Sequence, residues 1–312
     1  MKDDEEYLIS YANFKSDLFL KQKNFLNLEG LKKFYNNVNY GFPICLPIKI
    51  RFFDYGRAKY FKIDKKKFAK KIFKTKNVNY IGVKKFFRYG SYFAYNVKIN
   101  HKYKKKLNYY IKKTNNLKKK IKKLKNKKIC AMQIRNVPHY GHEAVFRHIL
   151  SKFEYLHLNP IFGIKKQKDF SDIFIKKALN FVKSKIKKIK FDPIYTNFHY
   201  AGPREAIHHL IIRQKLGFNY FYVGRDHAGA ENLYNQEAAI RTVKKSKYNL
   251  KIKPFVSKGG FYCDSCKQYV IKGNCNHMKL TNISGTEFRK SIEKKKLYKH
   301  ADKKMQKILF KI

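Results

Sequence analysis

Residues 133 to 142 read Gln133-Ile134-Arg135-Asn136-Val137-Pro138-His139-Tyr140-Gly141-His142, two imidazoles three positions apart behind a glutamine, an arginine and an asparagine. The HxGH pattern sits where a helical pattern begins, and a helix N-terminus offers free N–H groups and partial positive charge that suit a phosphate. Histidines placed there can donate to oxygens that gain charge in a transition state. The plain alternative is a capped turn with two surface histidines, and HxGH alone does not decide between them. A second stretch, Tyr200-Ala201-Gly202-Pro203-Arg204-Glu205-Ala206, is followed by His209 and Arg213 at i, i+4 spacing. Its bland reading is helix initiation with a surface ion pair. In a third, Gly224-Arg225-Asp226-His227-Ala228-Gly229, small residues let backbone N–H groups approach an anion, and Asp226 can accept from a ribose or an amine. The fourth, Ile283-Ser284-Gly285-Thr286-Glu287-Phe288-Arg289, is a glycine turn entering a helix. Downstream of the third, Cys263-x-x-Cys266 and Cys275-x-His277 have the spacing of a closed tetrahedral zinc site, which would be structural; the alternative is free thiols in a loop.

Such loops need rigid elements behind them. Ile129-Cys130-Ala131-Met132 is a short apolar run of the kind that a buried strand shows, and Val145, Phe146, Ile149 and Leu150 give the segment after the loop an apolar face. The order strand, polar loop, helix recurs. Glu205 to Lys215 reads as a helix, Phe218 to Val223 as a buried strand, and Gly224 to Gly229 as the loop leaving it. This alternation predicts an α/β fold with a mostly parallel sheet and ligands at the carboxyl ends of its strands. Residues 1 to about 60 mix apolar stretches with Gly and Pro and read as turns joining short strands. Residues 101–128 hold fourteen lysines and no acid, while Leu117, Ile121 and Leu124 keep an i, i+4, i+7 stripe. That predicts a helix with a wide solvated face and a narrow apolar seam, or alternatively an RNA-binding arm.

Across 312 residues the formal net charge is +52, from 73 Lys+Arg against 21 Asp+Glu. Such a field attracts nucleic acid or phosphorylated ligands. The abundance of Lys, Asn, Ile, Tyr and Phe with no Trp points instead to an AT-rich coding bias, so only weak, non-specific nucleic-acid binding is expected. Arginine supplies just ten of the 73 basic residues, and seven of the ten fall between residues 129 and 290, where the chemistry-bearing stretches lie. Where lysine serves for charge, an arginine is more informative, because its planar fork is what lysine lacks. No apolar run of about eighteen residues predicts a membrane span. The acidic start MKDDEEYLIS is unlike a secretory signal, so a cytoplasmic protein is expected. Cys45 and Cys130 lie in apolar surroundings and read as buried thiols.

The four stretches, in this order, resemble the ATP sulfurylase (sulfate adenylyltransferase) family, whose signatures run close to QTRNPxHxxH, YAGPREA, GRDHAG and ISGTxxR. The resemblance spans about residues 129 to 290, with echoes in Asn159-Pro160-Ile161-Phe162-Gly163 and in Tyr40 to Ile48. It implies a shortened, β-rich PUA-like domain over residues 1–127, a Rossmann-like HxGH nucleotidyltransferase domain over 128–250, and a zinc-knuckle and helical region over 251–312. It implies joining of ATP and sulfate to adenosine 5′-phosphosulfate and pyrophosphate by direct attack on the α-phosphorus, with Mg2+ accompanying ATP. Carried over by position, Gln133, Arg135 and the N–H of Ala228 would hold sulfate. Gln133, Ile134, Arg135, Asn136, His139, His142, Gly224, Arg225, Asp226 and His227 would contact ATP. Ile134, Arg135, Asn136, His139, His142 and Arg225 would form the catalytic group, and Cys263, Cys266, Cys275 and His277 the metal site. Members are commonly homo-oligomers. Two departures stand out: Ile134 replaces the family's threonine, and its proline comes one place late, as Val137-Pro138. The rivals are another HxGH adenylyltransferase and an RNA-binding protein with an inactive nucleotidyltransferase fold.

Overall fold

The computed structural model describes residues 2–163, 169–225, 227–246 and 250–312. Its centre is a six-stranded parallel sheet. The strands lie side by side in the order Lys253–Val256, Tyr220–Val223, Ile129–Ile134, Tyr155–Phe162, Ile189–Phe191, with Ile194–Tyr195 also pairing with Tyr155–Phe162. Because side chains alternate along a strand, a sheet covered on both faces must be apolar in both directions. Ile129 and Ala131 join the core beneath helices Pro203–Leu216 and Ala238–Ser246, while Cys130 and Met132 join the core beneath helices Tyr140–Leu150 and Asp172–Lys185. The sequence-predicted strand, loop and helix order is therefore realised as a doubly wound sheet. The strand order reverses between Ile129–Ile134 and Tyr220–Val223, so the loops beginning at Arg135 and Gly224 leave neighbouring carboxyl ends and flank the crevice where such sheets bind ligands.

The lysine-rich segment forms the helix Lys104–Lys123, with Leu107, Tyr110, Thr114, Leu117 and Ile121 buried, as the stripe predicts. The first 60 residues depart from expectation. They open on helix Lys2–Lys15 and continue with helix Leu28–Asn36, which Asn27 caps by accepting from Gly30 N–H at 2.8 Å. From Glu6 to Phe14 every residue of the first helix is buried. A helix packed on all sides carries no apolar-to-polar rhythm, and its period is invisible in sequence. Strands in this half are short: Leu46–Pro47, Tyr92–Tyr95 and Lys59–Lys62 form one antiparallel sheet, and Phe53–Asp54 pairs with Lys98–Ile99. Its core is aromatic, with Phe68 and Phe86 stacked at 3.9 Å between centroids, and it is continuous with the core under helix Pro203–Leu216.

After the parallel sheet, strands Gly260–Cys263, Gln268–Ile271 and Leu280–Asn282 form a small antiparallel sheet. Helices Gly285–Glu293 and Lys303–Leu309 follow. Among the described residues no helix is long and apolar enough to cross a membrane.

Candidate active site and metal cluster

The residues of the first loop are set by what the strand buries. Ile134 is 2% exposed and packs in the apolar core with Val137 and Phe146, so only its backbone faces the loop. Val137, the extra residue before the proline, is wholly buried there. Between them Arg135 and Asn136 are half-buried. The Arg135 guanidinium lies over the Phe198 ring at 5.8 Å, and Asn136 Oδ1 accepts from Arg289 Nη1 at 2.9 Å. The Asn136 bond ties the fourth stretch to the first, and Arg289 is steadied within its own stretch by donating to Thr286 Oγ1 at 3.1 Å. Gln133 Oε1 is buried without a hydrogen-bond partner.

His139 is the N-cap of helix Tyr140–Leu150, and its backbone N–H donates to His142 Nδ1 at 3.3 Å. That bond fixes the tautomer, so the His142 proton resides on Nε2, where it can be given to a ligand. Burial pushes the His142 imidazole down to about 4. Burial, then His142 and His300, holds His139 well below the ordinary histidine range. Both are neutral N–H donors until an anion approaches. Gly141 is required by close approach: a Cβ there would lie 2.9 Å from Ile283 Cδ1 and 3.1 Å from Gly260 O.

The loop of the third stretch leaves the neighbouring parallel strand Tyr220–Val223. Arg225 lies over Phe261 at 4.8 Å and donates from Nη2 to Asn282 Oδ1 at 2.9 Å. His227 Nε2 is 3.0 Å from His209 Nδ1. Ala228 has φ +60°, the left-handed conformation that turns successive N–H groups toward a common centre, and its carbonyl accepts from Gly202 N–H at 3.1 Å. Asp226 lies outside the described residues.

The second stretch is not a surface ion pair. Arg204 and Glu205 are 5% and 0% exposed and serve different partners. Arg204 Nη1 donates to the carbonyls of Phe34 and Gly41 at 3.0 and 3.1 Å, while Glu205 accepts from the N–H groups of His199 and Ala201 at 2.8 and 2.9 Å. A buried carboxylate needs such donors, and here they fix the turn before the helix. Arg213 is fully buried over Phe221 at 4.8 Å. Sequence reading missed Phe198, Phe261 and Asn282, which no local spacing marks.

Burial keeps His199, His209 and His227 well below their usual range and takes His208 to about 3. Unfolding therefore takes up protons at each imidazole below a pH of about 6.5, at about 1.4 kcal/mol per pH unit per group. Stability is lost as pH falls, partly offset by the carboxyls of Glu205 and Glu143, which burial raises. Melting temperature should drop steadily between about pH 6.5 and 5. A flat profile over that window would contradict neutral, buried imidazoles.

Cys263, Cys266, Cys275 and His277 come together with all four ligand atoms within 4.8 Å of one another. Sulfur pairs stand at 3.4 and 3.6 Å, and the three sulfurs lie 3.1 to 3.7 Å from His277 Nδ1. Tetrahedral zinc bonds of about 2.3 Å to sulfur and 2.0 Å to nitrogen place such atoms about 3.5–3.8 Å apart, so the set fits a metal of that size. The Cys266 N–H donates to Cys263 Sγ at 3.4 Å, which shapes the knuckle. The two remaining thiols, Cys45 and Cys130, are buried, as expected.

The family model for ATP-sulfurylase matches residues 108–300. A sulfate adenylyltransferase of Pyrococcus abyssi is 34% identical over 243 residues, 73% of this chain and 62% of that protein. One of Thermococcus onnurineus is 30% identical over 320 residues, covering 94% of this chain and 84% of its own length. One of Ignicoccus hospitalis is 40% identical over 171 residues, 53% of this chain and 44% of that protein. The chain thus spans less than two thirds of the Pyrococcus and Ignicoccus relatives. A solved structure described as a hexameric APS kinase from Thiobacillus denitrificans shares the fold at a TM-score of 0.51 and 11% identity, covering 71% of this chain and 44% of that one. With the family model matched through both of the loops that leave these neighbouring strands, this chain belongs to the ATP-sulfurylase family.

Proposed function

We propose that the protein is a sulfate adenylyltransferase, joining ATP and sulfate to give adenosine 5′-phosphosulfate and pyrophosphate. The observation that carries the reading is that, at the reversal of strand order, the loop bearing Arg135, Asn136, His139 and His142 and the loop bearing Arg225 and Ala228 leave the carboxyl ends of neighbouring strands. Two mutually repelling anions must be held in line, and a crevice of N–H donors without a general base suits that task. Gln133, Arg135 and the N–H of Ala228 hold sulfate. Asn136, His139, His142 and Arg225 hold the phosphates, with Gly224 and His227 along the nucleotide. A sulfate oxygen forms the new bond to the α-phosphorus as the bond to the β-phosphate oxygen breaks, and the electron pair leaves with pyrophosphate. Nε2–H of His142 meets charge that grows on those oxygens. Mg2+ would enter on the nucleotide's own phosphates, in keeping with donor-lined loops, and neutralise part of their charge. The reading is tested by pyrophosphate release with and without sulfate. Release only with sulfate is expected. Release that ignores sulfate would favour another HxGH adenylyltransferase, and none at all would favour an inactive fold.

Residues 1–127 serve in this reading as a shortened PUA-like unit, 128–250 as the nucleotidyltransferase domain and 251–312 as a zinc-bearing region. The four ligand atoms support a structural zinc, because all positions are filled by protein and none is open to substrate. Metal analysis of protein purified without added zinc should give about one zinc per chain. A folded, active protein without metal would overturn the assignment.

A further inference from the structure

We propose that Asn282 is a positioning residue for Arg225, and that metal at the Cys3His cluster keeps it in place. The role of Arg225 as a phosphate-holding group rests on the function proposed above; the clamp itself rests on contacts. Arg225 touches the small antiparallel sheet twice, donating to Asn282 and lying over Phe261. Phe261 and Asn282 are directly paired across two strands, so one cross-strand pair supplies both a flat platform and an acceptor. The planar guanidinium is thereby held in a single orientation, which an exposed arginine side chain otherwise loses to rotamer freedom.

The strand carrying Phe261 is four residues long, and three of them tie it to the histidine-bearing helix, to Arg225 and to the metal cluster. A Cβ on Gly260 would lie 2.1 Å from Gly141 O, so its backbone seats directly on the start of the histidine-bearing helix. Phe261 carries Arg225, and Cys263 enters the metal cluster. The same sheet region holds the helix start from a second side, since His300 O accepts from Tyr140 N–H at 2.9 Å and His300 Nδ1 is 3.1 Å from Tyr269 Oη. Three short strands with few buried side chains are not expected to hold their shape unaided, and a metal's binding free energy becomes folding free energy in such a unit. The cluster lies on the strand that links the HxGH helix to the platform under Arg225. It takes no part in the reaction, yet it sets where one of the anion-binding groups points.

The test uses the full chain with inorganic pyrophosphate as the probe, read by calorimetry. Asn282→Ala should weaken pyrophosphate binding about three- to tenfold, the loss of one charge-assisted hydrogen bond, with melting temperature and metal content unchanged. Asn282→Asp, which restores an acceptor, should recover most of it. Chelating the metal under reducing conditions should weaken binding at least as much and raise hydrogen exchange in a peptide containing Gly224 and Arg225, while helix Pro203–Leu216 stays protected. In metal-free protein Asn282→Ala should then add little, because both changes undo the same clamp. Wild-type affinity in Asn282→Ala, or losses that add independently, would overturn the proposal. Pyrophosphate binding that follows this pattern without any sulfate-dependent turnover would sink the sulfate reading and leave the clamp standing.

Discussion

His142→Ala lowers turnover by on the order of a hundredfold or more, about 3 kcal/mol, while sulfate affinity changes far less; steady-state pyrophosphate release measures both. The expectation follows from the tautomer. Nδ1 is occupied by the backbone N–H of His139, so Nε2–H is already aimed and costs no reorganisation when charge develops. Depression of its pKa to about 4 makes it a neutral donor at working pH, with room to gain positive character as the phosphate oxygens become more negative. Alanine also removes the acceptor that His139 N–H uses, so a loss could come from a loosened helix start. His142→Asn separates the two causes, because its amide oxygen can still accept from His139 N–H while the Nε2 donor is gone. Recovery of melting temperature without recovery of turnover is expected. If the asparagine variant turns over like wild type, the imidazole is a cap and nothing more.

What could be read in advance was local. Buried parallel strands are apolar runs and their helices keep one apolar face, so Ile129–Ile134, Tyr140–Leu150, Pro203–Leu216 and Tyr220–Val223 were visible as pattern. The cysteine knuckle was visible as spacing. The scarcity of arginine also proved informative: Arg135, Arg213 and Arg225 each lie over a phenylalanine ring, a use that favours a flat, weakly hydrated cation over an ammonium. What stayed hidden was long-range or uniform. Helix Lys2–Lys15 is enclosed over most of its length and shows no rhythm. Arg204 and Glu205, adjacent and opposite in charge, invite a surface pair, yet each answers carbonyls or amides placed by other parts of the chain. Asn282 and Phe261 meet Arg225 across 57 and 36 positions; Asn282 adjoins the fourth stretch, but no local pattern says that either residue reaches Arg225.

Arg135→Lys should cost roughly 2–3 kcal/mol, or about thirty- to two-hundredfold in kcat/KM for sulfate. This chain supplies its own control, because lysine occupies nearly every position where charge suffices, and Arg135 has resisted that drift inside a loop flanked by buried Ile134 and Val137. The Phe198 ring beneath its guanidinium sets the plane of the fork before any ligand arrives, so two parallel N–H groups can meet a sulfate edge together. Lysine keeps the charge and can remain over the ring, but it presents a single rotating ammonium, and one of the two bonds is lost. The deficit should therefore be geometric: higher sulfate concentrations recover part of the rate, while raising ATP recovers none. Arg88→Lys, at an arginine over Tyr89 outside the motif loops, should leave kinetics unchanged. Wild-type kinetics in Arg135→Lys would show that charge alone is used at this position, and the sulfate-binding group would then have to be sought elsewhere in the crevice.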